Sequence, residues 1–166
     1  TLVACYLGCI TQAIAANVAP LLFVTFQHTY GISLEKIALI PVVFYLTQLF
    51  VDLGATKFAD KIGYRICVVA SQIVSAIGLV LLAVLPEILP VPFLGILIAV
   101  VLYAIGSGLV EVLVSPSVEA CPFENKDGMM SLLHSFYCWG AVGVILGSSL
   151  FFAVFGTENW RILTVL

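Results

Sequence analysis

Five long runs of apolar residues, separated by short polar segments, set the organisation of the chain. Each run is long enough to cross a bilayer as an α-helix, which takes about 20 predominantly apolar residues. The predicted spans are residues 2–26, 36–57, 66–85, 93–118 and 129–155. A further run opens around Trp160, which we expect to anchor at the membrane interface, but it is too short to cross a bilayer. We therefore expect an all-α membrane bundle of about five transmembrane helices plus the start of a sixth, in a fragment of a longer protein.

Composition indicates the same class of protein. Of the 166 residues, 63% are hydrophobic and 9% are charged, against about 25% charged in an ordinary soluble domain. So few charges would not cover the surface of a soluble domain of this length. The net charge of −3 gives no reason to expect nucleic-acid binding, so the expected surroundings are a lipid bilayer and nucleic acid is not an expected partner.

Positive charge is concentrated in one polar segment, residues 52–65, which we call the basic segment. Lys57, Lys61 and Arg65 are half of the six Lys and Arg residues in the chain. Cytoplasmic loops of membrane proteins are enriched in Lys and Arg, so this segment is predicted to face the cytoplasm. If the first helix starts in the cytoplasm, Lys126 falls on the same side.

A proline and two amides interrupt the first span. Pro20 should kink the helix, because a proline cannot donate to the carbonyl one turn back and clashes with that turn. Kinks with freed carbonyls are tolerated where they face protein or a water-filled cavity. Gln12 and Asn17 lie in the middle of this span and could bind a polar solute or a neighbouring helix.

The second span has one polar face. Tyr45, Gln48 and Asp52 lie four, seven and eleven residues after Pro41, a spacing that aligns side chains on one side of an α-helix. Tyr45 and Gln48 are candidate solute contacts. Asp52, nearer the cytoplasmic end, is either a way-station for a cation or proton or a partner for a loop cation such as Lys57.

The fourth span carries a carboxylate, Glu111, well inside the predicted membrane. Ser107, Gly108 and Ser115 share its small, polar helix face. A charged carboxylate at a helix centre costs roughly 2.5–3.5 kcal/mol on insertion scales, so it should be paired, protonated or facing water. Glu111 is therefore a candidate proton carrier, with a structural hydrogen bond between helices as the alternative. Pro116 should bend or end this helix.

The fifth span has two distinct faces. Gly140, Gly143 and Gly147 form a small-residue seam that would let another helix approach closely. His134 and Tyr137 lie on a different side of the helix. Both are candidate solute contacts, and ordinary helix packing is the alternative for Tyr137.

Part of the basic segment resembles a known signature. Asp60, Lys61, Gly63 and Arg65 are similar to the D-R/K-x-G-x-R/K core found between the second and third helices of the major facilitator superfamily, with Thr56 at a position where the signature usually has glycine. The resemblance implies that residues 1–166 form the N-terminal bundle of a twelve-helix transporter, with a C-terminal half as partner. It also implies a conformational-switch role for this loop.

A second resemblance covers residues 102–150. The strings Gly-Ser-Gly-Leu-Val-Glu at 106–111, Ser-Pro at 115–116 and Ser-Leu-Leu-His-Ser-Phe at 131–136 are similar to sugar–proton symporters of the fucose permease type. The resemblance implies a proton-carrying role for Glu111. Unlike that group, the first span has no acidic residue, and Val144 stands where drug–proton antiporters commonly have proline.

No catalytic constellation is recognisable, so we expect neither an enzyme nor a cofactor. The sequence lacks a phosphate-binding glycine loop, a metal-ligand spacing and a plausible Ser/His/Asp set. None of the five cysteines forms a CxxC pair. Cys5 and Cys9 share a helix face that could hold a metal, but small packing residues are the preferred interpretation.

Together these patterns predict a multi-pass protein of a bacterial inner (plasma) membrane. The resemblances imply that the intact protein moves a small polar solute, a sugar, coupled to protons through Glu111, by alternating access around a midplane site. Two alternatives stay open. One is a uniporter or an exporter of another solute, including a lipid-like one; the other is a non-transporting scaffold or receptor with the same fold.

Overall fold

A computed structural model describes residues 2–122 and 125–165, apart from the side chains of Leu2, Thr56, Phe58 and Asp60. Seven α-helices and one 3₁₀ turn make up the regular structure of this part of the chain. They are α1 (Leu2–Leu21), α2 (Phe23–Tyr30), α3 (Leu34–Ile62), α4 (Tyr64–Ile88), α5 (Pro92–Glu119), α6 (Lys126–Phe155), the 3₁₀ turn Thr157–Asn159 and α7 (Trp160–Val165). Five of these helices are long and apolar enough to cross a membrane, which confirms the predicted fold class.

The first predicted span is two helices, α1 and α2. Its interruption lies at Leu22, two residues after Pro20, where the Leu22 amide donates to the carbonyl of Ala19 at 3.0 Å. Such an i to i−3 bond is a tightened turn. Pro20 has no N–H to donate to the carbonyl of Ala16, and the helix is interrupted close to this proline, which was expected to kink it.

Two other prolines do not end their helices. The segment 86–92 was predicted to be a loop, and this is wrong in extent, since α4 continues through Pro86 to Ile88. The backbone of Gly95 in α5 packs so closely on Leu85 that an added Cβ would lie 2.7 Å from its carbonyl carbon. Packing of α5 on this turn holds α4 helical across the proline. Pro116 likewise lies inside α5, which ends at Glu119.

The basic segment is more helical than its sequence predicts. Helix α3 continues to Ile62 and α4 begins at Tyr64, so Gly63 alone separates them. Gly63 has φ of 95°, a conformation that side-chain-bearing residues rarely adopt. A reversal this short therefore depends on glycine at position 63.

Helix α5 is the centre of the bundle, with contacts to α1, α3, α4 and α6. Its contact with α4 is the closest, because glycines in both helices remove the Cβ that would separate them. A Cβ on Gly78 would lie 2.5 Å from the Tyr103 amide nitrogen, and one on Gly106 would lie 2.5 Å from the Ser71 carbonyl oxygen. Glycine at these positions lets two membrane helices pack backbone to backbone.

The predicted glycine seam of α6 is used in part. A Cβ on Gly140 would lie 2.9 Å from the Cα of Ile10, so Gly140 is the point where α6 packs on α1. Apart from the neighbouring backbone of α6 itself, no described atom lies within 4 Å of the Cβ positions of Gly143 and Gly147. Within this chain, the seam therefore serves helix packing at one position.

At the end of the bundle where α2 and α4 finish, Trp160 joins these helices to α7. The Trp160 ring is buried and meets the rings of Phe26 and Tyr30 edge-on, at centroid distances of 5.4 Å and 6.5 Å. Trp160 is therefore a core residue, and its predicted role as an interfacial anchor is wrong. The local reason is that α7 folds back against α4.

Polar contacts surround the Trp160 ring. Arg161 forms an ion pair with Glu87, and the Tyr30 hydroxyl donates to the same Glu87 carboxylate at 3.2 Å. Burial raises the pKa of the Tyr30 hydroxyl, so this group remains a hydrogen-bond donor at neutral pH.

Asn125 caps the first turn of α6, and we expect Asn125→Ala to lower stability. Its side-chain oxygen accepts from the Gly128 amide at 2.9 Å, and loss of such a cap typically costs about 1 kcal/mol. Ser33 precedes α3 in the same position but makes no capping bond, so Ser33→Ala is the matched control and should change the free energy of unfolding much less. Equal losses in the two variants, measured by denaturation in mixed micelles, would contradict the assigned cap.

Candidate functional site

A cavity of about 430 Å³ lies between α1, α3, α5 and α6. Its walls include seven of the eight residues offered for proton coupling or solute binding. They are Gln12, Tyr45, Gln48, Asp52, Glu111, His134 and Tyr137. Glu111, His134 and Tyr45 are exposed in this chain, so the cavity is open on one side.

Close approach of α3 and α5 builds one wall of the cavity. A Cβ on Gly108 would lie 3.2 Å from the Cγ of Gln48 and 3.2 Å from a methyl carbon of Val51. The glycine lets the polar face of α3 lie beside the polar face of α5. The spacing of Tyr45, Gln48 and Asp52 correctly predicts that these three side chains share one surface.

Glu111 is held by two amide side chains from two different helices. The Nε2 group of Gln12 in α1 donates to Glu111 Oε2 at 3.0 Å, and the Nε2 group of Gln48 in α3 donates to the same oxygen. Hydrogen bonds to a carboxylate are stronger than those between neutral groups. The two glutamines therefore fix Glu111 at the junction of α1, α3 and α5, and they stabilise its charged form.

Two other polar groups of the cavity lack such partners. Asp52 Oδ1 and Ser107 Oγ are buried atoms without a hydrogen-bond partner among the described residues, and both residues line the cavity. Asp52 and Glu111 are also close enough to repel each other as anions. Unpaired buried polar atoms cost free energy, so these two oxygens are unfavourable positions in the wall.

Asn17 is the predicted site residue that the structure does not bring to the cavity. Its amide donates to the carbonyl of Ala13 at 2.7 Å, one turn back in α1. Ala16, its neighbour, lines the cavity instead. The Asn17 amide is therefore used within its own helix, in a local hydrogen bond to the backbone of a kind that asparagine often makes.

The predicted switch loop lies apart from the cavity. Lys61 and Arg65 are exposed on either side of Gly63, at the turn between α3 and α4. The side chain of Asp60, which the signature places at the centre of this role, lies outside the described residues. The switch role of this segment stays a prediction.

Gln12 was expected to bind a solute or a neighbouring helix, but the sequence did not identify Glu111 as its partner. Its only sequence signal is an amide in the middle of an apolar run, which Asn17 shares. Glu111 lies 99 positions away in the chain, and no pattern along the sequence links them. Ser107 was placed on the polar face of the fourth span, but nothing in the sequence distinguished its hydroxyl from those of its neighbours.

The two cysteines considered for a metal are packing residues. Cys5 and Cys9 are buried in an apolar cluster with Val110, Val114 and Leu133. Among the described residues, no three His, Cys, Asp or Glu side chains are placed to hold a metal ion.

These features define a class: a multi-pass helical membrane protein with an acidic, amide-lined cavity between its helices. Comparison with protein-family models identifies the family, because the model of the Major Facilitator Superfamily matches residues 4–166. The chain belongs to the Major Facilitator Superfamily, a family of membrane transporters. No curated protein matches the sequence.

Proposed function

We propose that the chain is the N-terminal bundle, residues 1–166, of a secondary transporter that carries a sugar together with protons. The observation that carries the proposal is Glu111, a membrane carboxylate that faces an open cavity and is held there by Gln12 and Gln48. A charged carboxylate inside a membrane bundle costs free energy, so a carboxylate found there is expected to have a function or a hydrogen-bond partner. Glu111 has neutral partners and is exposed in the open cavity, which suits a group that gains and loses a proton.

The other residues of the cavity fit a polar solute. Tyr45 and Gln48 of α3 and His134 and Tyr137 of α6 offer hydrogen-bond donors, acceptors and aromatic faces. Asp52 supplies a second acidic group, which we assign to proton passage alongside Glu111. The resemblance of residues 102–150 to fucose-permease-type symporters favours a sugar over other polar solutes, and the protein would act in a bacterial inner (plasma) membrane.

Transport would use a second bundle opposite this one. The cavity is open, and Tyr45 in its wall is 62% exposed, so a C-terminal half could close it. Alternating access would then come from rocking of the two bundles around a site near the membrane midplane. In this proposal, Asp60, Lys61, Gly63 and Arg65 help stabilise one of the two states.

The proposal is tested by solute-driven proton uptake into vesicles containing the intact transporter. A panel of monosaccharides is added outside, and external pH is followed. One sugar should cause external alkalinisation, and Glu111→Gln should abolish it, because glutamine cannot release a proton. Glu119→Gln, an exposed carboxylate at the end of the same helix, is the matched control and should transport normally.

Three outcomes would count against the proposal in different ways. Sugar uptake without proton movement would indicate a uniporter. Proton movement driven only by other solutes, including lipid-like ones, would replace the sugar. Normal proton coupling in Glu111→Gln would exclude Glu111 as the carrier, and the absence of any transport from a folded protein would favour a scaffold or receptor.

A further inference from the structure

A proton carrier inside a membrane bundle has to release its proton as well as bind it. Burial favours the neutral form of a carboxyl group, and a charged carboxylate in a membrane helix costs free energy. Both effects oppose release. Gln12 of α1 and Gln48 of α3 counter them, because each donates an Nε2–H group to Glu111 Oε2. The two donors therefore act on the group whose charge is costly.

Both amides are fixed parts of the bundle. Gln12 is 9% exposed and Gln48 is 8% exposed. The absence of a side chain at Gly108 lets Gln48 lie against α5, since a Cβ on this glycine would be 3.2 Å from the Gln48 Cγ. Donors that are already in position stabilise a developing charge without reorganisation. Gln12 and Gln48 are held in such positions by the packing of α1 and α3 on α5.

The two hydrogen bonds differ in strength between the two forms of Glu111. A carboxylate accepts an amide N–H more strongly than the neutral carboxyl group does, because the acceptor then carries charge. Each glutamine therefore stabilises the charged form more than the protonated form. It follows that each glutamine lowers the affinity of Glu111 for a proton.

Other titratable groups share the cavity wall with Glu111, and they come from α1, α3 and α6. They are Cys9, Tyr45, Asp52, His134 and Tyr137. Asp52 acts against the glutamines, because its negative charge disfavours a second anion at Glu111. Helix α4 also packs on α5 but contributes no described residue to this wall. Replacing one glutamine leaves all these groups in place, as it does any group of a second bundle, so a comparison of variants isolates the effect of the amide.

We propose that Gln12 and Gln48 are positioning residues that set the proton affinity of Glu111, and thereby the pH range in which the transporter binds and releases its proton. This inference rests on the proposed function and assigns the regulation of its proton site. The two glutamines act through Glu111 and do not themselves carry the proton.

Infrared titration of the intact transporter in bilayers measures this affinity directly. The C=O stretching band of a protonated carboxyl group disappears as the group loses its proton, and the band of Glu111 is identified by its absence in Glu111→Gln. The pH at which half of this band is lost is the midpoint for Glu111. No solute is added, so the measurement does not depend on which molecule is transported.

Gln12→Met and Gln48→Met each remove one amide and keep a side chain of similar size. Each should raise the midpoint by about 0.5–1 pH unit, because the carboxylate loses a stronger hydrogen bond than the protonated group does. Asn17→Leu is the matched control. It removes an amide of α1 that bonds to the carbonyl of Ala13, and it should leave the midpoint unchanged. Monodisperse elution establishes that each variant is folded, and the two glutamine positions are independent tests.

Each result decides a specific claim. Unchanged or lower midpoints in both glutamine variants would overturn the inference and leave Glu111 as the carrier. An equal rise in Asn17→Leu would assign the effect to a general change in the bundle, which also overturns the inference. A Glu111 band that does not titrate between about pH 4 and pH 10 would contradict both the inference and the proposed proton carrier. The expected shifts in a protein that no sugar drives to take up protons would contradict the proposed function and support the role of the two glutamines.

Discussion

Gly106→Ala should strongly destabilise the bundle. The new Cβ would lie 2.5 Å from the Ser71 carbonyl oxygen and closer still to the Ser75 hydroxyl. The Ser71 carbonyl is helix backbone and cannot rotate away, so α4 and α5 would have to separate. Overpacking typically costs 1–3 kcal/mol, and we expect a loss of about 3 kcal/mol or more in the free energy of unfolding in mixed micelles.

Gly143→Ala is the matched control for this effect. It adds the same methyl group to a membrane helix, at a position where no described atom other than the neighbouring backbone of α6 lies within 4 Å of the new carbon. Alanine is also the better helix former, by up to about 1 kcal/mol. Gly143→Ala should therefore be neutral or slightly stabilising, and a loss as large as that of Gly106→Ala would show that general effects of alanine, not contact with α4, determine the result.

Trp160→Ala is the second substitution with a large expected effect. The ring is 1% exposed and packs between α2 and α4 against Phe26 and Tyr30. Truncation of a buried tryptophan to alanine costs about 3–5 kcal/mol, because the contacts are lost and a cavity remains. We expect Trp160→Ala to lower the free energy of unfolding in mixed micelles and to speed proteolysis at the α2 end of the bundle.

Trp139 provides the comparison for Trp160. It lies in α6 with 75% of its surface exposed, so Trp139→Ala should change the unfolding free energy by no more than about 0.5 kcal/mol. If both tryptophan variants were equally stable, Trp160 would not be the core residue that joins α7 to α2 and α4.

The sequence predicts the membrane helices well because their signal is local. A run of about 20 apolar residues is sufficient evidence for a span, and the spacing of Tyr45, Gln48 and Asp52 is sufficient to place them on one face. The break after Pro20 is local in the same sense, since it follows from a missing N–H. These predictions required no knowledge of which helices are neighbours.

The errors arise where a distant contact overrides a local preference. Pro86 is a helix breaker by itself, but Gly95 of α5 packs on the preceding turn and α4 continues. Tryptophan is a residue type that often anchors helices at the membrane interface, but the packing of α7 against α4 buries Trp160. In both cases, packing between helices accounts for the observed structure, and the sequence alone does not show which helices are in contact.

The candidate site divides in the same way. Glu111 is conspicuous in the sequence because a carboxylate in an apolar run is costly. Its partner Gln12 is inconspicuous, because glutamine is tolerated in many membrane helices and the pairing joins residues 99 positions apart. Asn17 looked equivalent to Gln12 but bonds to its own helix at Ala13. Only the relative rotation of α1 and α5 distinguishes the two amides.

The most direct test of the central claim compares two activities of the Glu111→Gln transporter in the same vesicles. Solute exchange requires only that the loaded cavity reorients, whereas solute-driven proton uptake requires a group that releases its proton. Glutamine resembles protonated glutamic acid in shape and charge, so the variant should retain exchange and lose proton uptake. Exchange together with undiminished proton uptake would contradict the assignment of Glu111 as the proton carrier.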